Sequence, residues 1–509
     1  MHACLNVDEI IRLIVRQLVG SRIKAAAVAL ACCCKSFEDP VLDVLWETQD
    51  GLLPLLKSLP PDVWNEGGCT VSAPITHIFS SLNSFTRKSF KRHPTTLEWA
   101  RFRKYARRMR ELSELGTLDP LSPEVFPVLQ LYAIREPVFP NLKTLGLWSV
   151  SGKSIPFIPL FLSQRTLAIN IGFIRSNSPA AMVAPMVASL PTLCPNLQEI
   201  VLNCLPREPM ITFAASEMLI ANSRNALRTV FVDSPLTEGA CKVIFKHSDL
   251  RELSVTIERD TSLPSAVFPN LTRLIINYDH DSDWLQIFHS ATFGKLEIVT
   301  FFPESEQIGD FLEAFERVAL AASVQNTLSH FHFHTSCSWN PNYSSLLPFT
   351  QLTDITINSY CNIGGCSSRV EDDIIMNLAR TTPKLKNLQL GDVPCRKIPI
   401  GVTVEGFVVL ASHCPDLTTL RIHFQVTSLC TASDSWDDCQ RRVHCHAEGL
   451  RSGELRSWGD THTGGVSADC RPDPSPHFPP SRIYRFRRRE LEGGFEHNLP
   501  LQRNRRIVG

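Results

Sequence analysis

What this chain lacks narrows its role first. It has no surplus of either charge: 51 Lys and Arg balance 51 Asp and Glu over 509 residues. A global basic field for nucleic acid or an anionic membrane is therefore excluded, leaving only local patches. No apolar run reaches the ~18–20 residues that crossing a bilayer requires; the nearest, Ile23–Cys34, is too short. No secretory leader is expected, because Asp8, Glu9, Arg12 and Arg16 interrupt the opening residues. The 17 cysteines fall too irregularly for a disulfide framework, and Cys32, Cys33 and Cys34 sit in an Ala-rich apolar stretch where thiols act as small hydrophobes. Free thiols in a reducing compartment, cytoplasm and/or nucleus, are the expectation. There is no Walker loop, nucleophile elbow or paired-carboxylate motif, and Gly364-Gly365 is an isolated loop pair. No cofactor is expected.

What is present is an internal repeat. An apolar anchor is followed by apolar residues three and five positions later. The frame occurs at Leu142/Leu145/Leu147, Leu197/Ile200/Leu202, Leu227/Val230/Val232, Leu250/Leu253/Val255 and Leu271/Leu274/Ile276. It continues at Leu296/Val299/Phe301, Leu328/Phe331/Phe333, Leu352/Ile355/Ile357, Leu385/Leu388/Leu390 and Leu417/Leu420/Ile422. A degenerate copy is assigned to Leu167/Ile169, with Gln164 in the anchor place. The +3 and +5 residues alternate around one polar or small residue, the period of a short strand with one buried face. A lead-in repeats as well: Phe139-Pro140-Asn141, Cys194-Pro195-Asn196, Phe268-Pro269-Asn270 and Cys414-Pro415-Asp416. Proline ends the preceding element, and Asn or Asp turns the chain into the strand.

Between these strands, residues 180–193, 213–222, 239–246, 310–322, 372–379 and 404–412 carry apolar residues three and four apart, as helices do. Strand then helix, repeated, stacks parallel strands on one face and helices on the other. Anchor spacings of 21 to 33 residues overlap and exceed the leucine-rich-repeat range. Residues 139–424 are thus expected to form an α/β solenoid, an irregular leucine-rich-repeat array with strands on the concave face and helices on the convex face. A doubly wound domain also alternates strand and helix, but it wants longer apolar strands and, for a nucleotide, a Gly-rich first turn.

Residues 3–47 read as three short helices. Asp8 is placed to cap the first, whose apolar face is Ile10, Ile11, Ile14 and Leu18. Gly20-Ser21 breaks it, residues 23–34 form the second, and Pro40 fits the first turn of a third carrying Val41, Leu42, Leu45 and Trp46. So small a bundle has much apolar surface per residue and tends to hide part of it against a partner.

The pattern Leu5, Val7, Glu9, Ile10, Ile14, Leu18, then Ala29, Cys32, Lys35, Phe37, Pro40, Leu42, Leu45, Trp46, resembles an F-box. Leu52 to Pro60 and Trp64 are similar to the segment after the F-box in fungal F-box proteins with degenerate leucine-rich repeats. Val7 stands where the family has Pro, which keeps the apolar contact and loses the rigid turn. The resemblance implies a non-enzymatic substrate-recognition subunit of a Skp–cullin–F-box ubiquitin ligase. Leu5, Val7, Ile10, Ile11, Ile14 and Trp46 would form or support the adaptor face. A protein substrate would lie on the concave face, at Trp148, Glu199, Glu252, Arg273, Asn277, His330, His332, Asp354, Arg421 and His423. The alternative is a free-standing repeat scaffold whose N-terminal helices only cap the array.

Other groupings have blander readings beside the chemical one. Lys88, Lys91, Arg92, Arg101, Arg103, Lys104, Arg107, Arg108 and Arg110 are interleaved with aromatics, as a nucleic-acid site would be. An amphipathic helix with Leu97, Phe102, Tyr105, Met109 and Leu112 inward explains them equally, and the charge balance elsewhere favours it, so no nucleic-acid partner is expected. His330, His332 and His334 share one strand face, where a pH-sensitive contact patch is favoured over a zinc site for want of further ligands. Cys414-Pro415-Asp416 resembles the nucleophile of some repeat-bearing bacterial ubiquitin ligases. Cys194-Pro195-Asn196 holds the same place in the repeat, however, so Cys414 reads as a buried lead-in residue. Residues 48–138 are expected to hold linker helices and the start of the array. After Gln425 the period stops, and residues 425–509 read as a disordered tail or a misjoined end, with Cys439, His444, Cys445 and His446 in no zinc spacing.

Overall fold

The computed structural model describes residues 7–21, 23–70, 86–114, 125–133, 137–174, 178–222, 226–257, 263–278, 284–303, 311–336, 342–360, 370–390 and 402–422. The chain divides into two compact units, Met1–Arg442 and Val443–Gly509, and every described residue belongs to the first. Leu5, His423, Gly364, Gly365 and the expected tail from residue 425 lie outside the described residues.

Three helices open it: α1 (Asp8–Gly20), α2 (Lys24–Cys33) and α3 (Lys35–Glu47). They share a core of Ile11, Val15, Ala27, Phe37, Val41 and Val44, distinct from that of the array. Three local expectations change. Val7, not Asp8, occupies the N-cap of α1, and Asp8 sits in the first turn, where its charge suits the helix dipole. The inward stripe of α1 is Ile11 and Val15, with Leu18 half-buried, while Ile10 and Ile14 face outward. Both stripes have helical spacing, and packing against α2 and α3 chooses between them. Pro40 lies inside α3 rather than in its first turn, because the helix starts at Lys35 and buries Phe37.

Among the described residues the main sheet of the array has thirteen parallel strands in strict chain order, and residues 266–268 and 291–293 form a separate two-stranded parallel ladder. The strands of the main sheet are β1 (Thr48–Gln49), β2 (Glu111–Glu114), β3 (Thr144–Val150), β4 (Ala168–Phe173), β5 (Glu199–Asn203), β6 (Thr229–Val232) and β7 (Glu252–Ile257). The rest are β8 (Arg273–Tyr278), β9 (Ile298–Pro303), β10 (His330–Ser336), β11 (Asp354–Tyr360), β12 (Asn387–Leu390) and β13 (Thr419–Arg421). A doubly wound sheet reverses its strand order, and this one does not. Interspersed helices include Ala180–Leu193, Pro209–Ala221, Glu238–Ile244, Phe311–Ala321, Asp372–Thr381 and Val404–His413, within a few residues of the expected spans. The architecture is an α/β repeat of solenoid type. No described helix is long and apolar enough to cross a membrane.

The +3 residues form one row across the sheet: Leu112, Leu145, Ile169, Ile200, Val230, Leu253, Leu274, Val299, Phe331, Ile355, Leu388 and Leu420 pair neighbour to neighbour. This register corrects two readings. In the degenerate copy Ile169 is the +3 residue, Ile171 the +5 and Thr166 the anchor, two places beyond Gln164. A two-residue shift leaves in and out unchanged, so the apolar pattern alone does not fix it. Met109 and Leu112 are buried as an anchor and a strand residue, not as the end of a helix, since the basic helix spans only Thr96–Ala106. That helix buries Trp99, Phe102 and Ala106 and leaves Leu97 84% exposed, opposite to expectation.

Two ladders bind repeat to repeat. The amide after each anchor donates to the equivalent carbonyl one repeat back, as in Lys143 N to Arg110 O (2.7 Å), Arg251 N to Arg228 O (2.7 Å) and Lys386 N to Thr353 O (2.7 Å). The lead-in Asn side chains do likewise: Asn141 Nδ2 to Arg107 O (2.7 Å), Asn196 Nδ2 to Gln164 O (3.0 Å) and Asn270 Nδ2 to Ser248 O (3.2 Å). The asparagine that the sequence marks as a turn residue is thus also a lateral hydrogen-bond donor.

Candidate functional site

Two surfaces carry the residues of interest. On the module, the N-cap Val7 (43% exposed) and the α1 residues Ile10 (37%), Leu13 (60%) and Ile14 (39%) are in the open. Spacings of three and four place them on one side of the helix. Leu13 went unnoticed in the sequence because it breaks the expected stripe, although its spacing from Ile10 was legible. Ile11 is buried in the module core and does not join this face. Trp46 lies elsewhere: its ring stacks on Tyr105 at 4.8 Å and packs against the core of the array.

Trp46 is part of a firm joint between α3 and the array. Arg108 reaches Asp43 at 2.8 Å and also pairs with Asp39, and Lys104 meets Glu38 at 2.9 Å. Asp43 also receives Arg12 at 3.0 Å, and Arg110 N donates to Glu47 O at 2.9 Å. The last bond begins the backbone ladder, so α3 runs directly into β1 and the sheet. Elsewhere in the basic segment Arg92 is clamped by Asp62 (2.6 Å) and Glu98 (2.7 Å). Hydrogen bonds from Arg92, then from the Thr95 amide, pull the Glu98 carboxyl down to about 2. Arg92, Lys104 and Arg108 are thus held by acids of this chain, while Lys91, Arg101, Arg107 and Arg110 are exposed.

The second surface is the non-core face of the sheet. The structure brings His330, His332 and Asp354 together. His332 Nε2 lies 3.1 Å from Asp354 Oδ1, Thr356 Oγ1 donates to the same oxygen (3.0 Å), and Asn387 Nδ2 donates to Oδ2 (2.8 Å). Burial pushes the Asp354 carboxyl up, but His332, Asn387 and Thr356 together outweigh it and hold it below its ordinary value. His330 Nδ1 lies 2.7 Å from Ser329 Oγ. His334 is not on an open face as expected: it is buried, stacked on Phe302 at 4.7 Å, and burial, then the charge of His332, lowers it to about 4.

A second grouping pairs Glu252 with Arg273 (3.8 Å), beside Asn277, whose amide donates to Ser254 Oγ (3.3 Å). Trp148 on β3, Glu199 on β5 and Arg421 on β13 lie apart from both groups. Among the described residues no three His, Cys, Asp or Glu side chains gather as a metal would need. Cys414 is buried, its thiol 3.6 Å from Thr382 O, and burial pushes it up to about 11. His413 Nδ1 is within 2.9 Å of Val409 O, on its own helix. Neither arrangement suits an activated nucleophile.

No family model and no curated protein matches this chain.

Proposed function

We propose that this chain is the substrate-recognition subunit of a Skp–cullin–F-box type ubiquitin ligase, with an F-box module and an irregular leucine-rich-repeat array. The observation that carries the reading is the open face of α1: four large aliphatic residues stand in water on a module that already has a filled core. Leaving them exposed costs solubility, and an adaptor helix or groove would cover them. The joint of Arg108, Lys104 and Trp46 supports the same reading, since a substrate held by the repeats must be presented at a fixed place relative to the adaptor.

On this reading the non-core face of the sheet is concave and takes a protein segment, with the His330, His332 and Asp354 group and the Glu252 and Arg273 pair as its polar contacts. The chain supplies recognition, and ubiquitin transfer belongs to other subunits in the cytoplasm or nucleus. The test is co-purification with a Skp-family adaptor. Wild type is expected to capture it, and Ile10→Asp with Ile14→Asp to lose it while keeping the wild-type circular dichroism spectrum. No capture by the wild type leaves the free-standing scaffold as the reading.

A further inference from the structure

Two groups of thiols stand out among the described residues, and the half-buried Cys204 of the array belongs to neither. Cys194, Cys241 and Cys414 are buried in the array, and burial pushes each up to about 11. They are neither ionised nor reachable at neutral pH. The module holds the other group: of the three cysteines expected to act as small hydrophobes, Cys34 packs against the module core, while Cys32 and Cys33 are exposed. They end α2, and the half-buried Cys34 comes next as the extended residue that opens α3. Three thiols therefore follow one another where α2 ends and α3 begins. Cys34 Sγ lies 3.0 Å from Ser36 Oγ, while Cys33 Sγ donates to Ala29 O at 3.2 Å. The Ser36 hydroxyl, then the Ser36 and Phe37 amides, favour the ionised form of Cys34 and lower its pKa. Cys34 thus has hydrogen-bond partners that favour its thiolate, and two other thiols precede it in sequence.

We propose that the Cys32, Cys33 and Cys34 turn is a thiol-exchange site, at which Cys34 reacts with a small-molecule disulfide of the glutathione type and Cys32 then resolves the adduct. In the first step the Cys34 thiolate attacks one sulfur of the disulfide. That S–S bond breaks, a Cys34 mixed disulfide forms, and the expelled thiolate takes up the proton that Cys34 gave up. In the second step Cys32 loses its proton and attacks the Cys34 sulfur, expelling the second small thiol and leaving a Cys32 to Cys34 disulfide. The protein loses two electrons and two protons, and the small disulfide gains both. A disulfide joins Cα atoms about 4.4–6.8 Å apart, a separation that residues two apart adopt across a turn. The site rests on this turn alone and stands whether or not the module binds an adaptor.

The test is peptide-resolved mass spectrometry of the full-length protein after incubation with oxidised glutathione at neutral pH. Wild type is expected to yield the bridged peptide with two equivalents of reduced glutathione released. Cys32→Ser should stop at a glutathione adduct on Cys34. Ser36→Ala should slow the first step several-fold and move its pH midpoint upward. Cys194 and Cys414 should stay unmodified and serve as internal references. The proposal is overturned if Cys34→Ser reacts as fast as wild type, if adducts gather on Cys32 or Cys33 with Cys34 untouched, or if the turn reacts no faster than Cys414.

Discussion

Thr166 occupies an anchor place that leucine fills in ten other repeats, so the frame by itself recommends Thr166→Leu as a stabilising change. The structure predicts the opposite. Thr166 is fully buried, its Oγ1 accepts from Ser163 N (3.1 Å), and it donates to Leu142 O in the preceding repeat (3.3 Å). Removing the hydroxyl strands the Ser163 amide in the interior, a loss of about 1–3 kcal/mol. Thr166→Val, nearly equal in shape, isolates that loss. Thr166→Leu adds about 1–3 kcal/mol of overpacking, partly offset by about 1 kcal/mol of extra apolar burial. Both variants should therefore unfold earlier, by about 1–3 kcal/mol for Val and at least as much for Leu. Urea titration of the full chain by far-ultraviolet circular dichroism measures this, provided the slope stays that of wild type. A Val variant of wild-type stability, or a Leu variant that gains stability, would refute the reasoning.

The same kinds of contact set further outcomes. His334 is held at about 4 in the fold against 6.5 in the open chain. The folded protein therefore resists protonation there: its stability is whole above pH 6.5 and falls as pH drops to 4, by about 3 kcal/mol in all. His334→Phe, which keeps the stack on Phe302, should flatten that part of a pH-denaturation profile. Glu98 acts in a separate window, its contribution present above pH 4.5 and lost as pH falls towards 2, and Glu98→Gln should remove the loss there. Arg108→Ala deletes a 16%-exposed guanidinium that holds two acids of α3, and should cost about 1–3 kcal/mol. Calorimetry would then show the module melting ahead of the array. Asn196→Asp removes a lateral donor and sets a carboxylate against Gln164 O, costing about 1 kcal/mol by urea titration. Asp416→Asn, at the equivalent lead-in, should cost nothing.

The sequence was legible where one face of a strand meets a packed core. Leu145, Val230 or Phe331 has one place to go, and the three-and-five spacing reports it directly. Legibility failed where two placements bury equal apolar surface. The degenerate copy slid by two residues because Leu167 and Ile169 alternate just as Ile169 and Ile171 do. On α1, Ile10 with Ile14 and Ile11 with Val15 are rival stripes, and the positions of α2 and α3 decide between them. Met109 and Leu112 continue a helical pattern in sequence, yet pairing with Leu145 makes Leu112 a strand residue. Of the strand-face residues, Asp354 lies opposite His330 on the neighbouring strand, as the frame implied, and His332 reaches it diagonally from two residues on. The supporting Asn387 and Thr356 could have been found in the same way, one repeat on and two residues on. The depth of His334 could not, since it depends on Phe302 turning to cover it.

The adaptor reading is tested most directly by isothermal titration of the full-length chain with a purified Skp-family adaptor, alongside Leu13→Glu. Leu13 is 60% exposed and outside the module core, so the change should leave folding intact. The account predicts one-to-one binding by the wild type with a negative heat-capacity change, the mark of apolar burial. It predicts at least a tenfold weaker Kd for the variant. Wild type that binds no adaptor, or a variant that binds as tightly as wild type, would contradict it.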